Sequence, residues 1–429
     1  MPGVDPVTAS PDLPQQVDVA VIGGGVIGIT AAWHLARDGY SVAVFEKGRI
    51  AGEQSSRNWG YCRQQGRDPS ELPLIVESLR QWRTLSREVG ADTGFRERGI
   101  IYVTDRERDV AAWQTWLEHA RPFQIRTELL DGDGVARLFP RSAKRWHAGL
   151  WTASDGRAEP AHAVPAIARD LKARGGCVCA PCAVRGLDIA GGRAVGVVTE
   201  RGRIAADAVL LAGGAWSRHF CKRHGIRLKQ LNVKASVLRT APAPDVVTGG
   251  FAAPDFSIRR REDGGYSLAR GGATTYAVVP DGLRWFTDFW PSYWEEKHRM
   301  KVRIDRTFFD ELFADTRWSL DAPTVFEKHR TLEPQADTAV LGQAFRAMKA
   351  AFPELAPVTA AEQWAGMIDA TPDAVPVISG VDALPGFFIA TGFSGHGFGI
   401  GPGAGRLAAE LTTNRPTCVD PAPFSLARQ

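Results

Sequence analysis

The chain has 429 residues, 44% of them hydrophobic and 23% charged, which is enough material for more than one hydrophobic core. Its 52 basic and 48 acidic residues are spread along the chain, which gives no reason to expect a nucleic-acid partner, because phosphate-binding proteins concentrate Lys and Arg on one face. No stretch offers the roughly 20 apolar residues of a membrane-spanning helix, so any membrane contact would be peripheral.

The chain opens with a leader and a βαβ unit. Residues 1–16 have neither a positive n-region nor an apolar h-region, and we expect a disordered leader on a cytoplasmic protein, with peripheral attachment at an inner membrane as the alternative. The apolar run 17–22 predicts a strand buried on both faces of a parallel sheet. A glycine cluster then opens a helix that ends at Gly39, and residues 41–47 restart as a second buried strand.

The rest of the chain alternates helices with two kinds of sheet. Amphipathic helices are predicted over 70–89, 108–120 and 163–176. The apolar strand in 207–217 returns to the first sheet, so the first domain is discontinuous. The middle of the chain, about 225–325, predicts an antiparallel sheet with helices, and the last 70 residues return to glycine-rich turns, an apolar strand and a helix.

The first glycine cluster is a dinucleotide fingerprint. Gly23 permits a tight turn, Gly25 lets the backbone approach a pyrophosphate, and Gly28 lets helix and strand pack closely. Glu46 ends the next strand, 18 residues after Gly28, where it can accept hydrogen bonds from ribose hydroxyls. The phosphates would lie on the exposed N–H groups of the helix start.

A second glycine-rich loop favours FAD over NAD. Residues 392–402, GFSGHGFGIGP, open a second helix far from the first. Glycines without Cβ let a backbone lie against a flat ring, and a helix N-terminus stabilises the negative charge of a reduced flavin. The alternative is a glycine-rich turn that only caps a helix.

At these residues the sequence resembles the D-amino-acid oxidase superfamily, and within it the glycine oxidase, sarcosine oxidase and D-amino-acid dehydrogenase branch. Four blocks carry the resemblance: VAVIGGGVIGITAAWHLARDG with FEK, GEQSSRNWG, DAVLLAGGAWS, and WAGMIDATPDAVPVISG with IATGFSGHGFGIGPGAG. It implies an α/β fold with a Rossmann-like FAD-binding domain of the glutathione-reductase type and an inserted α+β substrate domain built on an antiparallel sheet. The FAD-binding domain would comprise 17–100, 150–225 and 365–420, and the substrate domain 100–150 and 225–365.

The resemblance also assigns cofactor contacts residue by residue. The fingerprint and the end of the second strand supply Gly23, Gly25, Val26, Ile27, Gly28, Glu46 and Lys47. A loop beside the phosphates and the ring supplies Ser55, Ser56, Arg57 and Asn58, the adenine contact is Val184, and the returning strand supplies Gly213, Gly214 and Trp216. The isoalloxazine would be bordered by Gly366, Met367, Gly395, His396, Gly397, Phe398 and Gly399.

Two departures from the family pattern concern the substrate and the cofactor linkage. Several relatives place at the position of Met367 an arginine that clamps the substrate carboxylate in a bidentate pair, which a methionine cannot do. Met367 is still expected to border the substrate. Sarcosine oxidases attach FAD through a cysteine in the block before TPD, where this chain has none, so noncovalent FAD is expected.

Another arginine must then hold a carboxylate, if the substrate has one. We expect Arg63 or Arg67 to do so, with Gln64 as a polar neighbour, because their loop would lie close to the ring in this fold. An ordinary surface or interdomain arginine is the alternative. Arg330 is a further substrate candidate, with a structural salt bridge as its alternative. His396 is the candidate catalytic residue, donating to the flavin or touching the substrate, or else a structural residue of the helix start.

Six aromatic residues lie close together at 285–294: Trp285, Phe286, Phe289, Trp290, Tyr293 and Trp294. This aromatic cluster is interpreted as a lid over a large apolar substrate or as a surface for a membrane or a partner subunit. Core packing or a homodimer seam is the alternative. The cysteines at 177, 179 and 182 lack a fourth ligand in paired spacing nearby, so no metal site is expected.

The resemblance implies FAD-dependent oxidation of the C–N bond of a small amino acid or N-substituted amino acid. Hydride would pass to flavin N5 and leave an imine that hydrolyses, with oxygen or a quinone as electron acceptor. Two alternatives stay open, because fold analogy does not define function. One is the catalytic subunit of a heteromeric opine- or sarcosine-type enzyme, and the other is a flavin-binding protein without turnover.

Overall fold

The computed structural model describes residues 2–429, which form two large sheets and a small one with helices around them. The strands are β1 (Gln16–Ile22), β2 (Val42–Phe45), β3 (Tyr61–Cys62), β4 (Arg96–Glu97), β5 (Ile100–Thr104), β6 (Thr127–Asp131), β7 (Ala148–Thr152), β8 (Gly156–Arg157), β9 (Cys177–Cys179), β10 (Val184–Ala190), β11 (Arg193–Thr199), β12 (Gly202–Leu211), β13 (Leu231–Thr240), β14 (Gly250–Ala252), β15 (Ser257–Arg260), β16 (Tyr266–Ala269), β17 (Thr274–Ala277), β18 (Met300–Arg303), β19 (Ala360–Ala370), β20 (Val377–Gly380) and β21 (Phe387–Thr391). The α-helices are α1 (Val26–Arg37), α2 (Gln54–Arg57), α3 (Leu72–Glu88), α4 (Glu107–Ala120), α5 (Gly132–Leu138), α6 (Pro160–Ala173), α7 (Ser217–Arg223), α8 (Pro280–Arg284), α9 (Phe286–Glu296), α10 (Arg306–Leu312), α11 (Val325–Lys328), α12 (Thr338–Ala351) and α13 (Gly397–Thr412).

The first sheet is built on the βαβ unit that the sequence predicts. Strand β1 pairs in parallel with β2 and with β12, which in turn pairs in parallel with β21. Strands β9, β10, β11 and β20 complete this sheet. Helices α1 and α13 lie against each other so closely that a Cβ on Gly405 would stand 2.1 Å from Thr30 Oγ1. The helix that starts the fold and the helix that ends it are therefore neighbours.

The second sheet is mostly antiparallel and runs in the order β18, β17, β13, β16, β15, β14, β5, β7, β6, with β19 also on β13. Two pairs differ from the expected antiparallel pattern, since β14 pairs in parallel with β5, and β17 with β18. Helices α8 and α9 connect β17 to β18, which is the long crossover that a parallel pair requires. The predicted α/β fold class is confirmed, with these two parallel strand pairs as the difference from the expected sheet.

Some segments cross the domain limits that the sequence predicts, and those limits remain predictions. Strand β19 begins at Ala360 and pairs along its length with β13 of the second sheet. Trp318 and Phe326, from the middle of the chain, pack instead into the core of the first sheet beside Val184 and Phe220. The burial of apolar side chains decides where these segments lie. Domain limits predicted from sequence motifs do not take that burial into account.

The expected disordered leader is an ordered segment in the structure, at least over residues 2–15. The Asp5 amide donates to the Ala161 carbonyl at 3.1 Å, and the Ser10 amide donates to the Val178 carbonyl at 2.7 Å. Lys172 Nζ donates to the Thr8 carbonyl at 2.6 Å. These bonds satisfy backbone groups along α6 and β9, which polar composition alone does not reveal.

The aromatic cluster lies at the rim of the second sheet, on α8 and α9. Only Trp285 among its six members is buried, and Phe289 packs against it in a small apolar core. Tyr293 is half-buried, whereas Phe286, Trp290 and Trp294 are exposed, which excludes core packing for these three. Further exposed apolar side chains follow on β18 and α10, including Ile304 at 79% and Phe313 at 80% exposure. We call the exposed apolar side chains of this region the apolar face: Leu283, Phe286, Trp290, Trp294, Val302, Ile304, Phe309, Leu312 and Phe313. Among residues 2–429, no helix has the length and apolar character to cross a bilayer.

Candidate active site

In the turn between β1 and α1, the backbone lies so close to its neighbours that only glycine fits. Gly23 has φ of +109°, and a Cβ there would stand 2.4 Å from the Ala212 carbonyl oxygen. A Cβ on Gly28 would stand 2.1 Å from the Gly23 carbonyl oxygen, which explains the third glycine. Helix α1 begins at Val26, its N-cap Gly25 has no side chain, and the Val26 amide donates to Ser55 Oγ at 2.8 Å, so the other amides of the helix start are left to face the cleft. That is the arrangement that binds a pyrophosphate.

Glu46 and Lys47 border the same cleft at the end of β2. The Glu46 carboxylate accepts hydrogen bonds from the Gly24 amide at 2.8 Å and the Gly48 amide at 2.7 Å, and its remaining lone pairs suit ribose hydroxyls. Burial raises the pKa of Glu46, against the lowering effect of these two bonds. Lys47 Nζ is held by Glu53 at 2.8 Å and lies 4.5 Å from the centroid of the Trp216 ring. Lys47 therefore shapes the wall of the cleft.

Most of the predicted cofactor residues line this cleft. They are Gly23, Gly25, Val26, Ile27, Glu46, Lys47, Ser55, Asn58, Val184, Gly213, Gly214, Trp216, Met367, Gly395, Gly397 and Phe398. Gly28, Ser56 and Gly366 lie behind the wall. A Cβ on Gly366 would stand 2.1 Å from Gln54 Oε1, so this glycine allows β19 to approach the loop. Arg57 donates to the carbonyls of Gly52, Leu332 and Ala365, which fixes the loop rather than presenting a charge to the cleft.

The second glycine-rich loop closes the cleft from the other side. Ser394 and Gly395 have φ of +49° and +83°, which turns the chain sharply before α13. The Gly399 carbonyl accepts hydrogen bonds from Ser78 Oγ at 2.8 Å and Trp82 Nε1 at 2.9 Å, and these tie the start of α13 to α3. The N-terminal residue His396 makes no capping bond with its side chain. Two helix beginnings, α1 and α13, thus face one cleft.

Asp369 supports this loop and was missed by sequence reasoning. Its carboxylate accepts hydrogen bonds from the Gly392 amide at 2.7 Å and Thr391 Oγ1 at 3.1 Å, and its carbonyl accepts the Ser394 amide at 2.9 Å. Burial raises the pKa of Asp369 in spite of these bonds. The only sequence signal was an acidic residue directly after the apolar residues Met367 and Ile368.

A cavity of about 1050 Å³ adjoins the cofactor cleft. Gln54, Asn58, Gly395 and Phe398 border both spaces, so this is where a bound cofactor and a substrate can meet. The wall is largely apolar and aromatic. Its aromatic side chains are Trp59, Tyr61, Tyr102, Trp113, Tyr276, Phe286, Phe289, Trp290, Tyr293 and Phe398. The aromatic cluster therefore covers part of this cavity.

Arg63 and Arg67, the two candidates for holding a substrate carboxylate, both line the cavity. The Arg63 guanidinium lies 5.4 Å from the Tyr102 ring and donates to the Gln65 carbonyl. Arg67 is buried, with Nε donating to the Arg63 carbonyl at 3.2 Å, while its buried Nη1 has no hydrogen-bond partner among the described residues. Burial, and next the charge of Arg63, lower the pKa of Arg67 to about 10, so Arg67 stays cationic at neutral pH.

His396 also lines the cavity, and a carboxylate stands behind it. Its Nδ1 lies 3.5 Å from Glu71 Oε2, on the turn that precedes α3. Glu71 is fully buried, and neither of its carboxylate oxygens has another close partner among the described residues. Burial, with Arg67 and Arg63 adding to it, lowers the pKa of His396 to about 4 against the opposing effect of Glu71. Sequence reasoning found His396 but not Glu71.

Three of the predicted substrate residues lie elsewhere. Gln64 points away from the cavity, because the buried Asp155 carboxylate accepts hydrogen bonds from its side-chain amide at 3.3 Å and its backbone amide at 2.7 Å. Arg330 forms a two-point ion pair with Glu200 at 2.6 and 2.5 Å, the structural alternative named above. Met367 borders the cofactor cleft, whereas its neighbour Ile368 borders the cavity, as the alternation of β19 requires.

The cysteines form no recognisable metal centre. Cys177 Sγ lies 3.4 Å from Cys179 Sγ on the edge strand β9, and all six cysteines are free thiols. Within residues 2–429, no group of three His, Cys, Asp or Glu side chains is placed to hold a metal ion.

A cleft that receives two helix beginnings, next to a covered cavity, fits an extended dinucleotide cofactor that meets a substrate. The glycine cradle at Gly23 and the start of α1, where Ser55 Oγ already accepts the Val26 amide, fit the pyrophosphate of FAD. The family model of FAD-dependent oxidoreductases of the DAO type matches residues 18–411. The chain belongs to this family.

Individual relatives agree in sequence and in structure. The L-amino acid deaminase of Proteus myxofaciens superposes with a TM-score of 0.93 at 31% identity, covering 100% of this chain and 96% of that one. The glycine oxidase of Geobacillus kaustophilus is 25% identical over 425 residues, which are 96% of this chain and 97% of the relative. The sarcosine oxidase subunit beta of an Arthrobacter species is 25% identical over 98% of this chain and 93% of the relative.

Proposed function

We propose that this enzyme oxidises the C–N bond of an α-amino acid with a bulky apolar side chain, and that Arg67 holds the substrate carboxylate. The observation that carries the proposal is the buried Arg67 Nη1, which has no partner among the described residues and belongs to a side chain that borders the cavity. The named activities of the relatives, glycine oxidase and L-amino acid deaminase among them, support amino acid oxidation. FAD, when bound, supplies the hydride acceptor.

A carboxylate would complete the hydrogen bonding around Arg67. An unpaired buried guanidinium N–H costs free energy that a carboxylate recovers, and charge-assisted bonds of this kind are roughly twice as strong as neutral ones. Arg63 adds a second positive charge at the same end of the cavity. Arg270, another cation of the cavity wall, is engaged by Gln343 at 3.2 Å and Asp255 at 3.4 Å. Arg67 is therefore the better anchor.

The size and lining of the cavity favour a bulky side chain over the small substrate that the resemblance implied. Pockets of roughly 300–1,000 Å³ enclose drug-sized ligands, and this cavity has about 1050 Å³. Phe286, Phe289 and Trp290 cover one side of it. Because apolar burial contributes about 25 cal/mol per Å², an aromatic or branched side chain gains more here than a methyl group.

The test compares the purified FAD-loaded enzyme with R67L, R63L and R270L. Benzoate, a carboxylate without an amine, is titrated while the flavin absorbance is followed. R67L should weaken benzoate binding by about 10-fold or more, the loss expected for one charge-assisted hydrogen bond of about 1.5–3 kcal/mol. R270L is the matched control and should change it by less than about threefold. Unchanged binding in R67L, or a larger loss in R270L, would refute the assignment of the anchor.

The substrate class is tested by the flavin itself. Amino acids with hydrogen, methyl, isobutyl and benzyl side chains are mixed anaerobically with the enzyme, in both stereochemical forms, and bleaching of the oxidised flavin is timed. The benzyl and isobutyl compounds should give the largest kcat/KM. A preference for glycine would contradict the proposal, since glycine has no side chain to contact the aromatic wall of the cavity.

The apolar face supports a second candidate, the catalytic subunit of a heteromeric enzyme. Exposed apolar surface of this kind marks contacts with partners, and the Arthrobacter relative is itself named as a subunit. Gel filtration of the chain expressed alone distinguishes the two. A monodisperse, fully active chain supports the single-chain enzyme, and an inactive chain that aggregates supports the subunit.

A further inference from the structure

His396 and Glu71 form a pair whose geometry restricts the protonation of the imidazole. Nδ1 is buried and faces the Glu71 carboxylate at 3.5 Å. A quarter of the His396 side chain is accessible and His396 borders the cavity, so with Nδ1 buried, Nε2 is the ring nitrogen left for a ligand. Hydrogen bonds of catalytic groups are often long before substrate binds, so a few tenths of an ångström of closure would make this one ordinary.

The carboxylate fixes the tautomer of the neutral ring. An ionised carboxylate only accepts hydrogen bonds, so the ring proton belongs on Nδ1 and the lone pair on Nε2. Burial would raise the pKa of Glu71, but the contact with His396 and the charges of Arg67 and Arg63 lower it, so Glu71 is ionised at neutral pH. The cavity is thus offered a proton acceptor rather than a donor.

We infer that His396 accepts a proton from the substrate ammonium group through Nε2, and that Glu71 is the positioning residue that keeps Nε2 free to do so. This inference rests on the proposed amino acid substrate. The N–H bond of the ammonium breaks and the Nε2–H bond forms, so the amine becomes neutral with its lone pair available, and the ring becomes an imidazolium beside the Glu71 carboxylate. After product leaves, the proton departs through the cavity to water.

The surrounding charges couple this transfer to substrate binding. The charged groups that face His396 are Arg67 and Arg63 from the loop after β3, and Glu71 before α3. In the empty site the two arginines disfavour a further positive charge on the ring. A substrate carboxylate bound to Arg67 offsets them, which makes His396 more basic when the ammonium group arrives. The same positive charges lower the pKa of the ammonium group.

The first variant replaces Glu71 with glutamine. An amide at this position can donate to Nδ1, which moves the ring proton to Nε2 and turns the acceptor into a donor. E71Q should therefore lower kcat/KM at pH 7 by about 100-fold or more, the usual range for a lost proton acceptor. E71D, which keeps the carboxylate, should recover part of the loss. E77Q is the matched control, since Glu77 lies on α3, pairs with Arg80 of α3 and Arg406 of α13, and borders neither the cleft nor the cavity.

The tautomer itself gives a readout that does not depend on turnover. In protein labelled with ¹⁵N-histidine, the signal of His396 is identified by its loss in H396Q, and its shifts report which nitrogen carries the proton. We expect the proton on Nδ1 in the wild type and on Nε2 in E71Q. A wild-type ring protonated on Nε2 would overturn the inference.

The second variant, H396Q, tests the transfer through its pH profile. Without the acceptor the enzyme must bind free amine from solution, whose fraction rises about tenfold per pH unit below the amine pKa. The ratio of wild-type to H396Q kcat/KM should therefore shrink steadily as the pH rises. If H396Q lowers kcat/KM by the same factor at every pH, His396 has a structural role and the inference is refuted. This test stands even if E71Q folds poorly and holds little FAD.

The benzoate titration separates this inference from the proposed function. E71Q should bind benzoate as tightly as the wild type or more tightly, because a negative charge beside Arg67 has been removed. Normal benzoate binding with unchanged kcat/KM in both E71Q and H396Q defeats the proton transfer alone. Unchanged benzoate binding in R67L defeats the anchor first.

Discussion

Glu159 and Arg259 form a buried ion pair that joins the two sheets. Glu159 precedes α6, which packs on α1 of the first sheet, and Arg259 lies in β15 of the second. Their side chains are 3% and 1% exposed, and the guanidinium meets the carboxylate at 2.7 and 3.2 Å. Replacing Glu159 with glutamine keeps the shape but leaves Arg259 a buried cation without its partner. Breaking such a pair costs about 3–5 kcal/mol.

The pKa of Glu159 gives a magnitude of the same order. Burial would raise this pKa, but Arg259 outweighs burial and lowers it from 4.5 to about 2. At about 1.4 kcal/mol per pKa unit, the ionised form gains about 3 kcal/mol from its surroundings. For 429 residues, an unfolding entropy of about 2.1 cal/mol/K per residue gives about 0.9 kcal/mol/K in total. E159Q should then lower the Tm by about 3–6 °C.

The assay is thermal unfolding of wild type and E159Q followed by circular dichroism, at pH 7 and at pH 3. Because the folded pKa is depressed, the stabilisation is complete above about pH 4.5 and is lost as the pH falls through about 2, so roughly 2 kcal/mol of the difference should vanish by pH 3. R145Q is the control, since the Arg145–Asp133 pair is 77% exposed on both sides and should contribute less than about 1 kcal/mol. Equal Tm losses for E159Q and R145Q, or a difference that grows in acid, would refute the reasoning.

Two further predictions concern the cofactor. G28A places a Cβ 2.1 Å from the Gly23 carbonyl oxygen, so the turn must open. The purified protein should therefore contain less than about a tenth of the wild-type FAD by absorbance. G39A is the control, because φ there is +88° but a Cβ meets nothing within 4 Å, and full FAD loading in G39A would show that backbone strain alone is not the cause. Because the block WAGMIDA directly before TPD contains no cysteine, acid precipitation should release all the FAD into the supernatant, and yellow protein in the pellet would show a covalent link elsewhere.

The parts of the site that lie in one local motif could be predicted, because the contacts that require those residue types are made within the same short stretch of chain. Gly23, Gly28 and Glu46 all fall within the β1, α1 and β2 unit, and spacing alone identifies them. Arg63 and Arg67 were predicted together with Gln64, yet only the arginines line the cavity. Which way a loop side chain points depends here on Asp155, about 90 residues away, and no spacing rule encodes that contact.

Contacts over long sequence distances account for most of what was missed. Glu71 meets His396 across more than 300 residues, and Asp369 holds a loop that lies beyond a turn. Asp369 directly follows the apolar residues Met367 and Ile368, whereas Glu71 follows a polar stretch, so only Asp369 carried a signal in the sequence. A buried acid is costly unless something positive or hydrogen-bonding faces it, so an Asp or Glu within an apolar run deserves a search for its partner. For Asp369 that search leads to Thr391 and Gly392, beside the second glycine-rich loop.

The arrangement of Arg67, Glu71 and His396 also limits which amines can react. In an α-amino acid the carboxylate and the nitrogen share one carbon, so the groups that bind them must stand side by side. Arg67 and Glu71 are four residues apart in sequence, Glu71 lies 3.5 Å from His396, and Arg67 and His396 both border the cavity, so an anchor at Arg67 holds the nitrogen on the side of the cavity where His396 lies. A longer spacing between carboxylate and amine, as in a γ-amino acid, would carry the nitrogen past the imidazole. If 4-aminobutanoate analogues with apolar substituents were oxidised as fast as the matching α-amino acids, the carboxylate anchor would have to lie farther from His396 than Arg67 does, and Arg270 would become the stronger candidate.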